Sequence, residues 1–111
     1  MMNCACNEEW YYSGLAADAD LAELVALFVD ELPGRIADLR QALTAGNREM
    51  VARLAHQLKG AGGSHGFPQI GLPSWKLEQA AREEDCFHAA PAFLDELAAV
   101  CGRVRAGLPA A

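Results

Sequence analysis

The sequence predicts an all-α fold, a four-helix antiparallel up-down bundle whose long first helix is kinked near Pro33. Three observations predict it. Ala and Leu dominate the apolar residues while Val, Ile and Thr are sparse, a balance that favours helix over sheet. Apolar residues recur at spacings of three and four over successive stretches, the period of a one-sided helix. Gly, Asn and Pro punctuate those stretches with short connections, which set consecutive helices side by side. A chain of 111 residues fits one domain and buries roughly two thirds of its unfolded surface, enough for one modest core.

Residues 1–17 have no sustained period and are expected to form a tail or a short extra helix. Helical patterning begins at Asp18, with Asp18 or Asp20 suited to cap the first turn. Leu21, Leu24, Val25, Phe28, Leu32, Ile36, Leu39 and Leu43 form one stripe that passes through Pro33 in phase. The proline is therefore expected to bend one long helix. Gly46 fits a left-handed helix end and Asn47 the cap of the next helix, about Arg48 to Gly63. A turn over Ser64–Pro68 leads into a third helix, about Pro68 to Glu84, with Ile70, Leu77 and Ala81 inward and a distortion expected near Pro73. A fourth helix follows Glu83-Glu84-Asp85 and carries Phe93, Leu94, Leu97, Val100 and Val104. The bundle is expected over residues 18–106, with a tail at 107–111.

The net charge of −6 argues against a nucleic-acid surface, since phosphate backbones select clustered Lys and Arg. The start, MMNCACNEEW, lacks the basic and apolar segments of a secretory signal. No run of eighteen apolar residues marks a membrane span. A cytoplasmic protein is expected, with Cys4, Cys6, Cys86 and Cys101 as reduced thiols.

The segment Arg53–Gly66, RLAHQLKGAGGSHG, carries the chemistry. At about 100° per residue, Val51, Leu54, Leu58 and Ala61 share one arc, the expected core face. His56 falls almost opposite and should point to solvent. Ala52, Gly60 and Gly63 lie one or two turns from it and are all small. Two glycines inside a helix cost roughly 1 kcal/mol each against alanine. On a solvent face, such a cost implies close approach of another body to the backbone. Lys59 and Arg53 lie three residues after and before His56, where side chains meet on a helix surface. A lysine ammonium there can reach phosphoryl oxygens as a mobile point charge.

The string Ala55-His56-Gln57-Leu58-Lys59-Gly60-Ala61-Gly62-Gly63, followed by Gly66, resembles the signature of the histidine phosphotransfer (HPt) family. Phe28-Val29-Asp30-Glu31-Leu32-Pro33 resembles its first helix, and Leu77-Glu78 with Ala80-Ala81-Arg82-Glu83 its third. The likeness covers about residues 18–105. It implies a phosphorelay carrier bearing a phosphoryl group on His56, with Lys59 steadying phosphoryl oxygens and Gly60 and Gly63 as clearance. Ala52 and Arg53 are expected to join the docking surface. The implied partners are a response-regulator receiver domain and a hybrid histidine kinase. No metal or cofactor of the chain's own is implied; magnesium belongs to the receiver. A monomeric carrier, not an enzyme, is expected. His65 stands where the family usually has an apolar residue such as Leu, Val or Phe, and Pro73 falls inside the helix that packs beside the active one.

Plainer readings apply elsewhere. His65 reads as a cap or loop histidine and His88 as a surface residue near a helix start. Cys4-Ala5-Cys6 with Cys86, Cys101 or a histidine is a weak zinc signal. Cys86 and Cys101 are more simply small core residues or unrelated thiols. Gly62 and Gly63 partly fit helix-end punctuation. The rival functions are a phosphoacceptor for a chemotaxis-type kinase, a helical interaction protein without transfer, and a zinc or thiol redox protein.

Overall fold

The structure, a computed structural model, describes residues 10–109. Four helices carry it: α1 (Ala19–Thr44), α2 (Arg48–Ser64), α3 (Gly71–Arg82) and α4 (Ala90–Gly102). Short 3-10 turns occupy Gly14–Ala17, Pro68–Ile70 and Glu84–Ala89. Two strands of two residues, β1 (Tyr11–Tyr12) and β2 (Val104–Arg105), pair in parallel. The fold class is all-α, as the periodicity predicts.

The Asp18 side chain starts α1 by accepting the Asp20 N–H at 2.8 Å, so of the two expected caps it is Asp18 that acts. The helix then runs without interruption through Pro33 to Thr44. Val25, Phe28, Leu32, Leu39 and Ala42 are its buried face. Leu24, expected in that stripe, is instead 52% exposed. It sits at the edge of the stripe, and its neighbour Val25 takes the inward direction.

The junction to α2 is set by Gly46 at φ 69°. Its N–H donates to the Leu43 carbonyl, and the Asn47 N–H donates to that of Ala42. These two bonds satisfy helix-end carbonyls that otherwise lack donors. Asn47 then caps α2 through its side chain, which accepts the Met50 N–H at 3.1 Å. The other end of α2 repeats the device. Gly66 has φ 83°, its N–H donates to Gly63, and the Phe67 N–H donates to Gly62 at 2.8 Å. Phe67 follows into the core fully buried. A Cβ on Gly66 would also collide with the Ser13 hydroxyl, so the segment before α1 packs on this turn.

The third helix is shorter than expected. Residues Pro68–Ile70 form a 3-10 turn, and α3 begins only at Gly71. This accommodates Pro73, which falls in the first turn, where backbone N–H groups have no helical partner to lose. The fourth helix also starts later, at Ala90 after the 3-10 turn, with Pro91 in its first turn. Val104 lies beyond it in β2, where it is buried and paired with Tyr11. One core of Phe28, Leu39, Leu58, Phe67, Leu77 and Leu94, among others, joins all four helices. The most extensive helix pairing is α2 with α3, and that seam carries the site.

Candidate functional site

On α2, Val51, Ala55, Leu58 and Gly62 are buried, and His56 projects outward with its side chain 61% exposed. Leu54 and Ala61, expected in the core arc, are only half-buried at its edge. Ala52 is corrected further. Expected on the open surface below His56, it is buried, because the core face of α2 turns toward α3 and takes Ala52 with it. It still borders the hollow beside His56.

Glu78 of α3 is the partner that the sequence reasoning missed. Its side chain is 5% exposed, and both carboxylate oxygens lie 3.2 Å from His56 Nδ1. A carboxylate can only accept, so Nδ1 carries the proton and donates. The lone pair of the neutral ring then sits on Nε2, on the solvent side. Arg82, one turn along α3, donates to the same carboxylate from Nη2 at 2.6 Å and Nε at 3.0 Å. Lys59 Nζ lies 3.9 Å from its other oxygen. Burial pushes the Glu78 carboxyl up. The hydrogen bonds and charges of Arg82 and His56 outweigh that and hold it below the usual range, so it is ionised at neutral pH.

The three glycines of α2 divide by role. A Cβ at Gly60 or Gly63 would meet nothing within 4 Å, so these positions leave open surface along the His56 face. A Cβ at Gly62 would come within 2.8 Å of Ile70, so this glycine admits Ile70 into the α2–α3 seam. Its reason is packing, which the helix-end reading of Gly62 does not supply.

On the other side of His56 lies an open hollow of about 590 Å³ between α2 and the end of α3. Arg48, Arg53 and Arg82 line it, with Glu49 as the acidic residue there. Arg48 reaches across to donate to the Ala81 and Arg82 carbonyls, closing the end of α3. Arg53 is exposed, and among the described residues its side chain hydrogen-bonds to the weak acceptor Met50 Sδ, at 3.2 Å.

His65 caps α2. Its Nδ1 lies 2.7 Å from the Ala61 carbonyl, and its ring stacks on Phe28 with centroids 4.5 Å apart. Through this stacking the flat ring packs as an apolar surface against α1. His88 is exposed, with Nδ1 3.0 Å from the Asp85 carbonyl just before α4. Cys86 is exposed and Cys101 buried, and burial raises the Cys101 thiol to about 12. Cys4 and Cys6 lie outside the described residues. Among the described residues, no group of three His, Cys, Asp or Glu is placed to hold a metal, and no helix is long and apolar enough to cross a membrane.

An all-α module that presents an exposed imidazole, its inner nitrogen held by a buried carboxylate and its outer nitrogen without a hydrogen bond among the described residues, has the makings of a histidine-bearing carrier domain. The family model for the Hpt domain matches residues 23–107, more than three quarters of the chain. The chain belongs to the Hpt domain family, whose members are phosphocarrier modules of two-component signalling. Neither the search of curated proteins nor that of solved structures gave a match.

Proposed function

We propose that this protein carries a phosphoryl group on His56 Nε2 between aspartates of receiver domains in a phosphorelay. The observation that carries the reading is the His56–Glu78 pair: Glu78 holds Nδ1–H at 3.2 Å and leaves Nε2 as the exposed nucleophile. A receiver bearing an aspartyl phosphate docks over α2. The Nε2 lone pair attacks phosphorus in line, the bond from phosphorus to the aspartyl oxygen breaks, and the aspartate leaves as a carboxylate. The ring becomes cationic as the bond forms, and the ionised Glu78 stabilises that charge through Nδ1–H. Lys59 turns to the transferring oxygens. The reverse sequence delivers the group to a second receiver, with magnesium held on the receiver.

The reading extends to a monomeric, cytoplasmic carrier charged through a hybrid kinase's receiver. Its helices are arranged up and down in antiparallel order, with a bend of α1 at Pro33. Gly60 and Gly63 give a docked receiver access to the backbone, and Arg53 lies at the docking edge, with Ala52 as floor.

The test is transfer of radiolabel from a phosphorylated receiver, with His56→Gln alongside. Acid-labile, base-stable label on the wild type and none on the variant is expected. Label that persists on His56→Gln moves the site, with His65 the first to examine. Absence of label from several receivers and from a chemotaxis-type kinase favours a non-transferring interaction protein.

A further inference from the structure

We propose that the arginine-lined hollow beside His56 is an electrostatic docking site for an acidic rim on the phosphoryl-donating or -accepting partner, with Arg53 as its free contact. The inference rests on the phosphotransfer reading and adds the chemistry by which the partner is chosen and steered.

The chain as a whole is acidic, with fifteen Asp and Glu against nine Lys and Arg. Yet four of those nine cations, Arg48, Arg53, Lys59 and Arg82, stand around His56 on α2 and the end of α3. The hollow itself has three arginines and one glutamate in its wall. Such local reversal of sign on an acidic body focuses potential at one place and repels acidic partners elsewhere, so it orients an encounter as well as attracting it.

The three arginines are not equivalent. Arg82 is committed to Glu78 through two hydrogen bonds. Arg48 is committed to the last carbonyls of α3. Arg53 makes no ion pair among the described residues, although Glu49 lines the same hollow one turn away; its hydrogen bond goes to the Met50 sulfur, and it stands one helical turn from His56. Its guanidinium presents several donors in a planar fork that suits a carboxylate. A partner whose phosphoryl-bearing pocket is edged by Asp or Glu side chains would meet Arg53 as His56 meets phosphorus. Lys59, on the opposite flank, stays available to the phosphoryl oxygens.

The experiment measures kcat/KM for label transfer from a phosphorylated receiver across ionic strength, using the wild type, Arg53→Glu, Arg53→Lys and Arg40→Glu. Arg40 pairs with Asp95 of α4, away from the hollow, and carries the same charge change as a control. Wild-type transfer should fall with salt. Arg53→Glu should be slower by about tenfold at ~20 mM salt, and the gap should close to about threefold or less at ~0.5 M, where the Debye length is only a few ångströms. Arg53→Lys should stay within about threefold of wild type, and Arg40→Glu within about twofold.

A salt-independent wild type, or an Arg53→Glu deficit that salt leaves unchanged, overturns the docking role. An Arg40→Glu deficit as large as that of Arg53→Glu also overturns it, since the effect would then be one of net charge. Should Arg53→Glu fail to fold by circular dichroism, the wild-type salt slope and Arg53→Lys decide alone. A wild type that takes no label from any receiver overturns the phosphotransfer reading and this inference together, an outcome distinct from normal transfer with no Arg53 effect.

Discussion

Glu78→Gln keeps the shape of the side chain and removes its charge, which isolates what the carboxylate does. In the wild type it accepts from His56 Nδ1 at 3.2 Å and from Arg82 at 2.6 and 3.0 Å. A glutamine offers one acceptor oxygen in place of two and no charge, so the ion pair with Arg82 becomes an ion–dipole bond and the bond from His56 becomes neutral. Each such change is worth about 1 kcal/mol. Glu78 is buried, but Arg82 and His56 are both more than half exposed, and water screens part of the loss. The expected destabilisation is therefore about 1–2 kcal/mol at neutral pH, measured by urea denaturation. The pH dependence has a definite sign. Glu78 titrates below its ordinary 4.5 in the folded protein. Its stabilisation is present above 4.5 and disappears as pH falls through the lower folded value. The difference between wild type and Glu78→Gln should then be full at pH 7 and shrink in acid. Transfer should slow by about five- to tenfold, because the cationic ring that forms on attack loses its counter-charge. A Glu78→Gln protein with wild-type transfer rate and a pH-independent stability difference would refute the argument.

Lys59→Ala should barely change stability, by less than about 0.5 kcal/mol, since its 3.9 Å contact with Glu78 is long and part-exposed. It should slow transfer by about tenfold, consistent with loss of one charged hydrogen bond to the phosphoryl group. Gly60→Ala and Gly62→Ala should move stability in opposite directions in urea titrations. The first fills open space and gains up to about 1 kcal/mol of helix propensity; the second drives a methyl into Ile70 and loses about 1–3 kcal/mol. In a Cys4→Ser, Cys6→Ser background, a thiol reagent at pH 8 should titrate exposed Cys86 at once. Cys101, with its thiol raised to about 12, should react only after denaturation.

Helix boundaries were legible where the punctuation is local. Gly46-Asn47 announces both the left-handed turn and the next cap, and the chain folds there as those residues dictate. Boundaries were misread where tertiary packing competes with periodicity. The 3-10 turns at Pro68–Ile70 and Glu84–Ala89 carry apolar residues in phase with the helices that follow, so their sequence looks helical. The outward direction of His56 follows from 100° per residue alone. The burial of Ala52 does not, because it depends on which side of α2 the neighbour α3 occupies. Glu78 left a fainter trace. Ser74, Glu78 and Ala81 fall on one face of α3 beside Leu77, so a glutamate stood in a buried register. A buried carboxylate needs a cation or donor, and periodicity alone does not say that the donor is a histidine on the neighbouring helix.

The geometry also ranks the three donors that share Glu78 and so decides which is available to a phosphoryl group. Arg82 makes two hydrogen bonds with the carboxylate, one as short as 2.6 Å, and losing them would leave a buried charge poorly paired. The His56 ring donates through Nδ1, and that bond strengthens as the ring becomes cationic. Lys59, at 3.9 Å, lies outside ordinary hydrogen-bond range of a carboxylate that is already served twice. Withdrawing it costs about 0–1 kcal/mol, the scale of an exposed ion pair. A phosphoryl group one helical turn away offers more charge than that. The same carboxylate can thus keep the imidazole oriented and leave the lysine free to follow the phosphoryl oxygens. Lys59→Ala and Glu78→Gln should accordingly add in activation free energy, so that their rate factors multiply, because their roles act on different atoms. A double variant no slower than the slower single one would mean that Lys59 works through Glu78 instead.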